Sequence, residues 1–78
     1  MAEFKYEIIK KMGVISQGSN GWQKEFNLIS WSDREPKYDI RDWSEGHEKM
    51  GKGITLSENE MRNLYSMLSE EIKRIDGK

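Results

Sequence analysis

The 78-residue sequence contains no cysteine, which excludes a disulfide framework and any metal site built on thiolates. It also lacks a long apolar run: nothing approaches the roughly 18 residues that a membrane-spanning helix needs, and the first residues have no apolar segment typical of a signal peptide. We therefore expect a protein with no membrane association. The lack of cysteine is compatible with the cytoplasm.

An excess of positive charge is absent too. Thirteen Lys and Arg residues stand against 14 Asp and Glu, for a net charge of -1, so any affinity for nucleic acid must come from local placement of cations. The mean hydropathy of -0.92 is low, but three Trp, three Tyr and two Phe residues indicate a folded chain. We expect a single domain over residues 1–78. Its core is small and we expect no disulfide or metal to stabilise it. Dimerisation is the other common way in which such a small domain gains stability.

Residues 37–43 alternate strictly and predict a strand with two different faces. Tyr38 and Ile40 form the apolar face and are predicted to be core. The other face carries two cations, an acid and an aromatic. A further strand is expected over residues 52–56, with Ile54 and Leu56 available for the core. The residues predicted to lie on the open face are Lys37, Asp39, Arg41 and Trp43.

Two earlier strands are expected over residues 4–15 and 22–31. In the first, Phe4, Tyr6 and Ile8 share a face, and Gly13 is a candidate for a bulge. In the second, the predicted core positions are Phe26 and Leu28, with Trp31 on the opposite face. Trp22 and Lys24 share the parity of Phe26, so either Trp22 is buried or a bulge near Glu25 turns both side chains toward Trp31.

Residues 57–76 predict an amphipathic helix that begins with a capping box, Ser57 and Glu60, and stops near Gly77. A helix of about 18 residues is roughly 27 Å long. Over a four-stranded sheet, part of its apolar stripe needs another partner, so this helix is the expected dimer interface. The residues predicted for that interface are Met61, Leu64, Tyr65, Met67, Leu68 and Ile72.

The segment Asp39-Ile40-Arg41, followed by Trp43, a polar loop, Lys52-Gly53-Ile54-Thr55-Leu56 and a capped helix, resembles the transcriptional coactivator family of the positive cofactor four type. The similarity is greatest to its small bacterial members of the YdbC type. The resemblance implies an α+β fold, ββββα, that forms a homodimer and binds single-stranded DNA on its sheet. It also implies support of transcription, replication or repair at the nucleoid in the cytoplasm, with transcription or repair proteins as further partners.

The resemblance also assigns the site. Arg41 matches the DNA-contacting arginine of the family, Lys52 and Gly53 match its Lys-Gly-Ile motif, and Trp31 matches an aromatic residue. Trp43 stands one residue before a DNA-contacting Trp of other members. Aromatic side chains would stack with bases while cations hold phosphates, largely without sequence choice. The predicted nucleic-acid-binding residues are Trp22, Lys24, Trp31, Lys37, Arg41, Trp43, Lys52 and Gly53.

No catalytic motif is present, so we expect no enzyme, no cofactor and no metal. His47 lies with Glu45 and Glu48 in one loop that lacks the spacing of a ligand set, and we expect that loop to be solvated. Two alternatives remain open. The aromatic face or the acidic helix could dock a partner protein, and RNA could replace DNA, because stacking does not sense the 2′-hydroxyl group.

Overall fold

Four strands and one helix make up the computed structural model, which describes residues 5–77. They form one antiparallel sheet in the order β1-β2-β3-β4, and the helix α1 follows the last strand. The predicted ββββα fold is therefore confirmed. No helix within the described range is both long and apolar enough to cross a membrane. The elements are β1 (Tyr6–Gln17), β2 (Gln23–Trp31), β3 (Lys37–Trp43), β4 (Met50–Leu56) and α1 (Glu58–Asp76).

The pairing of β2 with β3 runs without interruption from Gln23 opposite Trp43 to Ile29 opposite Lys37. No bulge near Glu25 therefore turns the side chains of β2, and that alternative is wrong. Two faces follow from the unbroken alternation. We call them the Phe26 face, with Lys24, Phe26, Leu28, Tyr38 and Ile40, and the Trp31 face, with Glu25, Asn27, Ile29, Trp31, Lys37, Asp39, Arg41 and Trp43.

The edge strand β1 is irregular: its register against β2 shifts three times, between Ile8 and Lys10, Lys11 and Gly13, and Val14 and Ser16. Each shift leaves one extra residue, and bulges of this kind bend a strand and increase its twist. Gly13 itself pairs with Phe26, so the bulges flank it. The predicted face residue Phe4 lies outside the described residues. At the start of β1 the ring of Tyr6 lies 5.4 Å from that of Trp43, measured between ring centroids.

The buried centre of the chain is the Trp31 face. Ile29 and Trp43 are 0% and 1% exposed, and Asp39 and Asn27 are equally inaccessible. The sequence predicted the reverse, with Tyr38 and Ile40 as core and the other face open. That assignment is wrong within a single chain, because Tyr6 and the loop before β4 cover the Trp31 face while Tyr38 and Ile40 are only half-buried.

Helix α1 begins as predicted, with the Ser57 hydroxyl accepting from the Glu60 amide at 3.2 Å and the Glu60 carboxylate accepting from the Ser57 amide at 2.8 Å. None of its residues is buried. It stands off the Phe26 face, leaving a groove of about 480 Å³ between that face and Met61, Tyr65 and Leu68. The apolar stripe of the helix therefore has little cover from its own sheet.

A large amount of apolar surface remains accessible. Tyr65, Met67 and Ile72 are 71%, 66% and 55% exposed, and Ile54 of β4, predicted as core, is 53% exposed. The accessible surface is 6368 Å², whereas a compact monomer of this mass has about 4,900 Å². The excess of more than roughly 1,000 Å² is similar to what each protomer of a stable dimer buries.

Candidate nucleic-acid interface

The side chain of Arg41 is held in a fixed plane by a buried carboxylate. Its Nε and Nη2 donate to Oδ1 and Oδ2 of Asp39 at 2.7 and 2.8 Å, which is a bidentate pair. Thr55 of the neighbouring strand donates a further hydrogen bond to Oδ2 at 3.2 Å. Asp39 is fully buried, while 14% of the Arg41 side chain remains accessible. The sheet thus fixes both the position and the orientation of the guanidinium group.

The guanidinium group of Arg41 lies over the indole of Trp31, with Cζ 4.8 Å from the ring centroid. This is a cation–π contact, and it joins the last residue of β2 to the middle of β3. The ring of Tyr6 flanks the same indole with centroids 5.8 Å apart. Arg41 and Trp31, both predicted site residues, therefore form one stacked unit.

An open cleft of about 300 Å³ borders this stacked unit. Arg34 lines it together with Ser32 and Thr55, and the sequence analysis did not single out Arg34. The turn after β2 brings it there: the Arg34 amide donates to the Trp31 carbonyl at 2.9 Å, and its carbonyl accepts from the Ser30 hydroxyl at 2.6 Å. A signal was available in the sequence, since Arg34 lies in the connector directly after the predicted aromatic position.

Gly53 stands opposite Arg41 in the β3–β4 ladder. A Cβ atom at this position would lie 2.2 Å from Cβ of Arg41 and 2.4 Å from the carbonyl oxygen of Ile40. The glycine is therefore required for the close approach of β4 to β3. The packing of the two strands therefore explains this glycine without the nucleic-acid contact predicted for it.

Trp43 is not an exposed aromatic residue, contrary to prediction. It is 1% exposed, and the imidazole of His47 lies parallel to it, with centroids 4.4 Å apart and an interplanar angle of 10°. Its Nε1 is buried without a hydrogen-bond partner among residues 5–77. The sequence could not show this, because the cover comes from a loop residue expected to be solvated.

His47 connects that loop to the centre of the sheet. Its Nε2 lies 3.1 and 3.0 Å from the two carboxylate oxygens of Glu25, and the Asn27 amide donates to the same carboxylate at 3.1 Å. Burial raises the pKa of Glu25, but the hydrogen bonds from Asn27, His47 and Gln23 outweigh it, so that the pKa lies below its ordinary value. Glu25 is thus held as a carboxylate.

The remaining residues predicted to bind nucleic acid lie apart from the Trp31–Arg41 unit. Lys37 is exposed on the Trp31 face. Lys24 lies on the Phe26 face opposite Asp42, and Lys52 is exposed and shares the parity of Ile54 on that face. Trp22 is half-buried beside the loop before β4. The structure therefore brings Trp31 and Arg41 together and leaves Trp22, Lys24 and Lys52 on the other side of the sheet.

Comparisons with known proteins show to which family the chain is related. A 45% identical relative, described as an uncharacterized protein of Treponema pallidum (strain Nichols), aligns over 67 residues, which is 86% of this chain and 79% of that protein. The model of the family described as transcriptional coactivator p15 (PC4) matches residues 19–67. That range includes β2, β3, β4 and the first half of α1, and with them the stacked Trp31–Arg41 unit. The chain belongs to the transcriptional coactivator p15 (PC4) family, which is associated with single-stranded DNA binding and coactivation.

Proposed function

We propose that this protein binds single-stranded DNA at the accessible edge of the Trp31 face, around Trp31 and Arg41, largely without regard to sequence. The observation that carries the proposal is the stacked Trp31–Arg41 pair at the rim of an open cleft that also contains Arg34. Flat aromatic and guanidinium surfaces stack with any unpaired base, and nearby cations hold the backbone. Duplex DNA keeps its bases stacked on each other, so it binds more weakly.

Arg41 contributes a flat surface rather than a free charge. Its Nε and Nη2 are occupied by Asp39, and Nη1 lies 3.4 Å from the Gly51 carbonyl, so few of its donors remain for phosphate. Holding phosphates then falls to Arg34 and Lys37, whose exposed side chains lie next to the cleft and on the same face, respectively. This division assigns bases to the stacked unit and the backbone to its flanks.

The acting species is proposed to be a homodimer. The exposed apolar stripe of α1 and the groove beneath it fit a second copy, which would bury Tyr65, Met67, Leu68 and Ile72. Met61 and Leu64 lie on the same helix, closer to the sheet. A dimer presents two stacked units, and two linked sites on one strand bind more tightly than either alone.

Lys24, Lys52 and Trp22 are proposed as secondary contacts, where a longer strand passes to the Phe26 face. Trp43 is proposed to take part only in the manner argued below. By analogy with its family, the protein would serve transcription, replication or repair at the nucleoid.

The test is a fluorescence titration with oligo-dT of about 20 nucleotides, run beside the matching duplex and at several salt concentrations. We expect tight binding of the single strand and weaker binding of the duplex. The logarithm of the affinity should fall with the logarithm of the salt concentration, with a slope of about -0.7 per phosphate contact. Trp31→Leu should lose about 1–3 kcal/mol of binding free energy. Trp22→Leu, the same change at a proposed secondary contact on the other face, should lose less than Trp31→Leu. Equal affinity for single strand and duplex would refute the proposal, and equal affinity for the RNA oligomer would widen it to both nucleic acids.

A second candidate function is docking of a partner protein on the apolar stripe of α1, favoured by the 71% exposure of Tyr65. Such binding would respond little to salt. A chain that sediments as a monomer and shows no affinity for any oligonucleotide would favour this function over the first.

A further inference from the structure

The loop between β3 and β4 places an imidazole ring where a nucleobase would stack. The His47 ring lies over Trp43 at 4.4 Å between centroids and only 10° from parallel. Offset parallel stacking of this kind is the arrangement that bases adopt on aromatic side chains. His47 therefore occupies one face of an indole that is otherwise suited to a base.

The indole beneath His47 has an unmet polar requirement. Trp43 is 1% exposed, and its Nε1 has no acceptor within residues 5–77. Buried polar groups in folded proteins are nearly always paired, so an orphaned N–H group needs an explanation. The N–H group points along the plane of the indole while His47 covers its face, so the unpaired group marks Trp43 as an incompletely satisfied core residue.

The loop that carries His47 is closed mainly on itself. The Ser44 amide donates to the Lys49 carbonyl at 2.9 Å, and the Lys49 amide donates to the Ser44 hydroxyl at 2.8 Å. Toward the sheet, His47 itself provides the stack on Trp43 and the contact with Glu25. The Glu45 side chain lies against Gly21 of the preceding loop as well, so opening requires both His47 and Glu45 to leave their partners.

We propose that His47 is a gate over a second base-stacking position on Trp43, closed in the free protein and opened by an incoming single strand. This inference rests on the proposed function, and it adds a self-inhibitory contact to it. In the closed state the Trp31–Arg41 unit alone is available. In the open state the strand gains a second stack, on Trp43.

His47→Ala and His47→Phe form a matched pair of tests. Both substitutions remove the contact with Glu25 and any charge on the imidazole, but only His47→Ala uncovers the indole. We expect His47→Ala to bind oligo-dT up to about tenfold tighter than the wild-type chain, since one ring stack and one hydrogen bond no longer oppose opening. His47→Phe should bind no tighter than wild type. Trp43→Leu in the His47→Ala chain should abolish the gain.

The possible results test the His47 gate separately from single-stranded DNA binding. A wild-type chain that binds oligo-dT, with no gain in His47→Ala or an equal gain in His47→Phe, overturns the gate and leaves the proposed function standing. Folded wild-type and His47→Ala chains that both fail to bind overturn the two together. Binding by His47→Ala alone supports both. If His47→Ala does not fold, tighter binding by His47→Phe is sufficient to overturn the gate, and binding no tighter than wild type supports it.

Discussion

Asp39→Asn tests whether the buried carboxylate fixes Arg41. Breaking one partner of a buried ion pair costs about 3–5 kcal/mol. Here the loss should be smaller, about 2–3 kcal/mol, because the asparagine oxygen still accepts one hydrogen bond and 14% of the Arg41 side chain reaches solvent. With a urea m-value of about 1 kcal/mol/M, the unfolding midpoint falls by roughly 2–3 M. Asp42→Asn, the same change on the opposite face of β3, should cost less than about 0.5 kcal/mol.

The same variant distinguishes two roles of Arg41 in binding. Asp39→Asn raises the net charge from -1 to 0, so a free, phosphate-binding Arg41 would bind single-stranded DNA more tightly. A fixed stacking surface would instead bind it about five- to tenfold more weakly, because Arg41 would no longer be held over Trp31. Urea unfolding at one fixed protein concentration and oligo-dT titration check both parts. A variant as stable as wild type that binds as tightly or more tightly would refute the reasoning.

Three further variants address the rest of the structure. Gly53→Ala should destabilise the protein by about 3 kcal/mol or more in thermal unfolding, because its Cβ would lie 2.2 Å from Cβ of Arg41; Gly13→Ala, with nothing within 4 Å, should not. Glu25→Gln should flatten the acid limb of stability in circular dichroism: the lowered pKa of Glu25 means that its carboxylate stabilises the fold above the ordinary value of 4.5 and that this is lost as the pH falls through the lowered value. Leu68→Glu should convert a dimer to a monomer in sedimentation velocity, whereas the exposed control Asn63→Glu should leave the dimer intact; a monomeric wild-type chain would contradict the dimer.

The strands and the helix can be predicted from the sequence because each has a local signal. The alternation of residues 37–43 marks β3, and the Ser57–Glu60 capping box marks the first turn of α1. These patterns depend on neighbours within a few positions. The strands and the helix therefore follow from short-range physics.

Local sequence patterns did not predict which face of the sheet is buried. Counting apolar residues favoured Tyr38 and Ile40, but Asp39 is buried because its charge is satisfied by Arg41 and Thr55. The cover over Trp43 depends on a contact between His47 and Glu25, which are 22 positions apart. Such pairings across strands leave no mark on local periodicity. The sequence predicts Trp31 and Arg41 as separate site residues. It does not predict the contact between them, because they lie on different strands.

The three bulges of β1 affect how the protein behaves at high concentration. Ile9, Met12 and Ile15 are the extra residues of these bulges, and they are 47%, 36% and 55% exposed on a strand at the edge of the sheet. A regular apolar edge of this length would offer an unbroken row of donors and acceptors to a strand of another molecule. The bulges interrupt that row every third residue, which hinders a second chain from continuing the ladder. Strand pairing along β1, a common route to fibrils, is therefore disfavoured when the molecules are crowded.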